Sequence, residues 1–166
     1  MAVVNTKSAQ ITNADAGSVT LSDNKVLGGN VKALVATVEV AVADEDLSVY
    51  RMVRVHSSWL ILSINAYCDA ITAGTDFNVG LYQTAANGGA VASESLFADA
   101  VTLATAITAG SDLRFQAGDI AGSIKPVWEL LALPVDNNRW YDLCFTAITV
   151  GSAAGTVGVL VLVAGN

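Results

Sequence analysis

SVYRMVRVHSSWLILSINAYCDAITAGTDFNVGLYQTAANGG, residues 48–89, decides the fold class. It reads as three consecutive strands. In the first, Val49, Arg51, Val53 and Val55 share one side. In the second, Leu60, Leu62, Ile64, Ala66 and Cys68 form an apolar row at period 2. In the third, Phe77, Val79 and Leu81 alternate with Asp76, Asn78 and Tyr82. Successive side chains of a strand point to opposite faces, so each row can face one core. Gly74, Thr75 and Asp76 are expected to turn the second strand into the third. Ala86, Asn87, Gly88 and Gly89 close the unit with residues that tolerate positive φ.

Upstream, residues 31–41 alternate: Lys32, Leu34, Ala36, Val38 and Val40 against Ala33, Val35, Thr37 and Glu39. That is a fourth strand. Asp44, Glu45 and Asp46 follow as an acidic, solvated turn; a calcium loop would space its ligands around an obligatory glycine. Residues 1–30, rich in Asn, Thr, Ser, Ala and Gly, read as an extended N-terminal arm, which leaves 31–166 as a β-sandwich domain.

Downstream, Leu96, Phe97, Ala100, Val101 and Ala104 have helical spacing, which predicts a helix within residues 90–106, with a strand as the alternative that Thr102 and the many alanines leave open. DLRFQA, 112–117, looks like a short strand. KPVWELLALP, 125–134, is bracketed by prolines as a helix of about two turns, suited to plug one end of a sandwich. Residues 139–150 and 156–163 finish the chain as strands. In the last, Val157, Val159, Val161 and Val163 line one side and Leu160 and Leu162 the other, so it should be covered on both faces, within the domain or by a partner. AITAGTD (70–76), AITAGSD (106–112) and AITVGS (147–152) are closely alike and read as a recurrent turn.

Composition bounds function. The 166 residues are one domain's worth, 53% apolar but 14% charged, against roughly 25% charged in ordinary domains. So little charge makes a poor solvent skin and points to an oligomer or larger assembly. The net charge is −7, and the eight Lys and Arg are scattered. Nucleic acid and anionic membrane are therefore disfavoured as partners. The longest apolar run, 157–164, is far short of the roughly 20 residues of a spanning helix. Residues 1–30 lack the charged start and apolar middle of a signal peptide, so cytoplasmic synthesis is expected.

Chemistry is hard to find. His56 is the one histidine, placed at a strand end beside Ser57 and Ser58, with no nucleophile-elbow motif. Cys68 and Cys144 are too few for a disulfide framework or, with one histidine, a zinc site. The glycines of 151–158 lack a phosphate-loop Gly-Lys-Ser/Thr. No pair of carboxylates stands out for glycoside hydrolysis. The immunoglobulin signature fails, since Tyr141 lies three residues before Cys144 and Trp128 sits in the expected helix. No cofactor, metal or catalytic group is expected. Large apolar groups on an outward strand face mark contact surfaces. On this basis the interface candidates are Trp59, Ile61 and Tyr67, which alternate with the apolar row of strand 59–69. Val159 and Val161 on the last strand and Val3 and Val4 on the arm join them.

SVYRMVRV (48–55), DAITAGTDFNVGLYQTAANGGAV (69–91), LFADAVTLATA (96–106), VWELLAL (127–133) and YDLCFTAITVGSAAGTVGVLVLV (141–163) together resemble a family of small tailed-phage proteins, the capsid decoration or cement proteins. The resemblance implies an all-β, jelly-roll-like antiparallel β-sandwich with one or two short helices. It implies a homo-oligomer, a trimer favoured, on the outer surface of an icosahedral head, where it ties major capsid subunits together. The rival expectation is a tail- or fibre-associated sandwich that binds a host surface glycan.

Overall fold

The structure, a computed structural model, describes residues 30–42, 44–71, 75–149 and 153–165. Eight strands account for most of them: β1 (Val31–Val40), β2 (Val49–His56), β3 (Leu60–Cys68), β4 (Asp76–Gln83), β5 (Val91–Thr102), β6 (Ile107–Asp112), β7 (Trp140–Thr149) and β8 (Gly155–Ala164). They form two four-stranded antiparallel sheets, ordered β1-β8-β3-β6 and β2-β7-β4-β5. Successive strands switch sheets except at the β4–β5 hairpin. That order is two interleaved Greek keys, a jelly roll. The all-β sandwich expected from the sequence is the fold observed.

The core lies between the sheets. Val157, Val159, Val161 and Val163 of β8 face Phe77, Val79 and Leu81 of β4 and Leu143 and Phe145 of β7, all buried. The β4–β5 connection is a 3₁₀ turn, Ala85–Asn87, followed by Gly88 at φ 95° and Gly89 at φ 69°. Both are the left-handed backbone that glycine adopts without a Cβ penalty, as the Asn-Gly-Gly sequence anticipates.

Two bulges re-phase the strands that opened the sequence reading. In β2 the register with β7 slips between Arg51 and Val53, so Val55 is buried while Val49 and Arg51 face out. In β3 the register with β8 slips between Ile61 and Ser63. Leu62 is the extra residue and is 37% exposed; Ile61 and Ile64, on either side of it, both reach the core. One inserted residue moves all that follows to the other face. Period 2 carried through the bulge had placed Ile61 outward and Leu62 inward, and the structure reverses both.

Three further expectations are corrected. The helix expected within 90–106 is strand β5. Its register against β4 jumps from Val79↔Ala98 to Leu81↔Ser93, and Phe97 and Ala98 are both buried. That irregular strand produces apolar spacings that mimic a helix. The strand expected over 112–117 is displaced: β6 ends at Asp112, whose Oδ1 accepts from Ile64 N at 3.1 Å and Arg114 N at 2.9 Å and bends the chain. The AITAGSD copy is therefore largely strand, while 72–74 and 150–152 of its companions lie outside the described residues.

The proline-bracketed helix exists as one turn, α1 (Val127–Leu130), with Pro126 as its N-cap. It docks by backbone bonds, Val127 N to Trp59 O and Trp128 N to Ser57 O, each 2.9 Å, so it does cover one end of the sandwich. The arm, 1–30, lies outside the described residues apart from Asn30, whose carbonyl accepts from Gly165 N at 3.2 Å. Among the described residues no helix is long and apolar enough to cross a membrane.

Candidate interaction surface

The two outer faces of the sandwich differ in character. On the β2-β7-β4-β5 sheet, Asp142 accepts from Arg51 Nη1 at 3.0 Å and from Arg54 Nε at 2.7 Å. Arg51 also donates to the carbonyls of Gln83 and Gly89 and lies over the Tyr82 ring. The Tyr82 and Thr146 hydroxyls bond each other at 2.8 Å. Segment 93–94 of β5 crosses over Gly80, where any Cβ would collide with the Ser93 and Glu94 carbonyls. Polar groups on this face are satisfied within the chain.

The β1-β8-β3-β6 sheet is different along its β1 side. Alternation along β1 turns Leu34, Ala36 and Val38 against the core and leaves Val31, Ala33 and Val35 outside. Val31 is 59% exposed and Val35 72%. Across the ladder Val35 pairs with Leu160 and Ala33 with Leu162, and both leucines are half-buried. Val31, Ala33, Val35, Leu160 and Leu162 thus form an apolar strip that water wets. On β3 the same rows continue as Asn65 and Ser63, so the strip has a polar border. Among the described residues β1 has one neighbouring strand, β8. An edge strand with an apolar outward row is a ready surface for another chain.

The sequence-predicted interface residues fall into three groups. Tyr67 is on the outer face, half-buried, its ring 3.0 Å from where a Cβ on Gly110 would stand. Trp59, Ile61, Val159 and Val161 are buried within the protomer, which corrects the outward placement of Trp59 and Ile61 and shows the two valines covered by the domain itself. The valines form the core row of β8, and the bulge turns Ile61 inward. Val3 and Val4 lie outside the described residues. Sequence reasoning passed over Val31, Ala33 and Val35, although their alternation with Leu34 and Ala36 carried the signal. Of β8, the apolar members that reach the outer face are the half-buried Leu160 and Leu162, on the side opposite to the valines named.

Trp59 and Trp140 meet at one end of the sandwich, where the backbone of Trp128 also docks on Ser57. Trp59 meets Trp140 edge-on at 5.2 Å between ring centroids, and His56 meets Trp140 at 4.9 Å. Lys32 Nζ sits 4.6 Å over the Trp59 ring, and Trp140 is 44% exposed. His56 Nδ1 pairs with Ser58 Oγ at 2.8 Å, while Ser57 Oγ donates to Asp136 Oδ1 at 2.5 Å. In a hydrolytic triad the imidazole would stand between serine and acid. Here serine and acid bond directly, and the imidazole faces a different serine.

The two thiols are structural. Burial pushes Cys144 up to about 12 and raises Cys68 as well, which keeps both protonated. Among the described residues no cluster of His, Cys, Asp and Glu could hold a metal ion. The acidic turn is self-contained: Asp44 Oδ2 accepts from Tyr50 Oη at 2.7 Å and from Ala41 N at 2.8 Å.

Fold and surface together define an all-β jelly-roll protein with one internally satisfied outer face and one apolar strip. No family model matches the chain, and no curated protein matches it. Among solved structures, a chain of the cyanophage Pam1 capsid asymmetric unit is similar, with 17% sequence identity and a TM-score of 0.42, over 90% of this chain and 94% of that one.

Proposed function

We propose that this chain is a capsid decoration, or cement, protein of a tailed phage. It self-associates, a trimer favoured, and binds the outer surface of the icosahedral head, where it holds neighbouring major capsid subunits together. It works by buried apolar contact and multivalency, without catalysis. The observation that carries the reading is the wet apolar strip of Val31, Ala33 and Val35 with Leu160 and Leu162. Scarce charge agrees with a surface partly covered in an assembly, and the net charge of −7 would keep the protein off packaged DNA. The phage setting itself comes from the resemblance of the five segments quoted above.

The test pairs light scattering after size exclusion with co-sedimentation on expanded heads. A stable oligomer that co-sediments is the expected result. A monomer at micromolar concentration that leaves heads bare would end the proposal. The exposed Trp140 ring beside His56 favours one rival, a glycan-binding module, because sugars stack on such rings. Specific glycan-array binding lost in Trp140→Ala, with no head binding, would put that rival in its place.

A further inference from the structure

By volume, the largest fully buried side chain among the described residues is a cation. Arg114 is 1% exposed. Asp112 sets its backbone, and two carbonyls hold its guanidinium: Nε donates to Ile61 O at 3.0 Å and Nη2 to Gly122 O at 2.9 Å. The rings of Phe97 and Phe115 flank it, with centroids 5.2 and 4.7 Å from Cζ. Among the described residues no carboxylate forms a salt bridge with it. A guanidinium stays charged at any ordinary pH, so a desolvated positive charge lies here, held by two carbonyls, with the Asp112 carboxylate acting on it through space but forming no salt bridge.

One nitrogen remains. A cavity of about 360 Å³ opens beside Arg114 between Glu129 and Leu130 of α1, residues 117–122 and Ser95 and Leu96 of β5. Two of its wall residues are Gly118 and Gly122. A Cβ on Gly118 would stand 3.9 Å from Nη1, so the bare glycine leaves that nitrogen on the cavity side. Lys125 adds a second cation to the lining; Asp119 and Glu129 add two acids. Asp119 Oδ1 already accepts from Ala121 N at 3.0 Å, and both acids are exposed, so water screens them more than it screens the buried Arg114.

We propose that this cavity binds a carboxylate, with Arg114 Nη1 as its principal donor and Lys125 as the second positive charge. An ionised acceptor would complete the guanidinium with a charge-assisted hydrogen bond, the strong kind. The volume is at the small end of ligand pockets, enough for an acid of a few heavy atoms. Two sources share this chemistry: a free small acid, or an Asp or Glu side chain of a neighbouring copy.

The experiment is thermal unfolding of the full chain in acetate or malonate, each against sodium chloride at equal ionic strength, with the mass followed by sedimentation. At 100-fold over the dissociation constant the midpoint should rise by roughly 5–10 °C relative to chloride. The rise should vanish in Arg114→Met. Because that variant loses internal bonds and can fail to fold, Gly118→Leu is the second arm: it keeps Arg114 and fills the cavity. An unchanged mass identifies a free acid as the occupant; a mass that falls as the acid is added identifies a neighbour's side chain. No carboxylate-specific rise in the wild type, or a rise that persists in Gly118→Leu, overturns the proposal.

Discussion

Val35 stands directly opposite Leu160 in the β1–β8 ladder, and both side chains turn away from the core. Val35→Asp puts a charge in the middle of that strip without touching the interior. Subunit association should weaken by roughly 10–100-fold, the cost of losing one buried valine contact. Monomer stability should change by no more than about 0.5 kcal/mol, as for most surface substitutions. Sedimentation equilibrium and urea unfolding of the same sample check both halves; unchanged association sinks the assignment of this strip to the interface.

The β3 bulge separates two neighbours that look alike in sequence. Ile61→Ala should cost about 2–5 kcal/mol, because a fully buried side chain leaves a cavity. Leu62→Ala, at a site open to water, should cost well under half as much. Urea midpoints of the pair read the difference, and equal costs would mean the strand runs through without its extra residue.

Gly80 is where β5 crosses closest to β4. A methyl group there meets the backbone carbonyls of Ser93 and Glu94, which cannot rotate aside as a side chain would. Gly80→Ala should therefore destabilise by about 1–3 kcal/mol, by forced backbone shifts. Full wild-type thermal stability in that variant would contradict the crossing.

Cys68 and Cys144 should be silent toward a thiol reagent at pH 8 in the native protein. Burial raises both thiols, Cys144 to about 12, and their sulfurs are covered. Both should react at once in denaturant. Stoichiometric labelling of the native chain within seconds would show the sheets to be more open than this packing allows.

Asp44 supplies the pH prediction. The Tyr50 hydroxyl, and after it the Ala41 amide, hold its carboxyl below the usual value of 3.8. A folded value below the unfolded one gives stability that is complete above the unfolded value and drains away as pH falls through the folded one. Tyr50→Phe should move the Asp44 titration back up toward 3.8 by carboxyl NMR. No movement would mean that the hydroxyl bond does not form in solution.

Sequence made the strands legible wherever one face is buried without interruption. β1, β4, β7 and β8 keep period 2 from end to end or nearly so, and their limits were read to within a few residues. The bulges in β2 and β3 left no mark, because Met52 and Leu62 are as apolar as the neighbours they displace. β5 imitated a helix because its slips bury Phe97 and Ala98 side by side. The sheet order was not readable from periodicity at all, since alternation says nothing about which strands become neighbours; the family resemblance implied only a jelly-roll-like sandwich. The strip was half legible. Leu160 and Leu162 were visible as a second apolar face, but the valines of the same strand drew the interface assignment. Arg114 was invisible as a buried group, because nothing in DLRFQA announces that the carbonyls of Ile61 and Gly122 will close around it.

The place of β8 has a consequence for how the chain is made. It is made after β1 to β7, yet it lies between β1 and β3. Until residues 155–164 are made, those two strands lack their shared neighbour, and pairings as distant as Val31 with Ala164 must wait. Assembly of this sheet therefore waits for residues 155–164, and is slow in the manner of all closures between remote stretches of chain. A ribosome stalled before residue 155 would hold a nascent chain with half its sandwich unzipped.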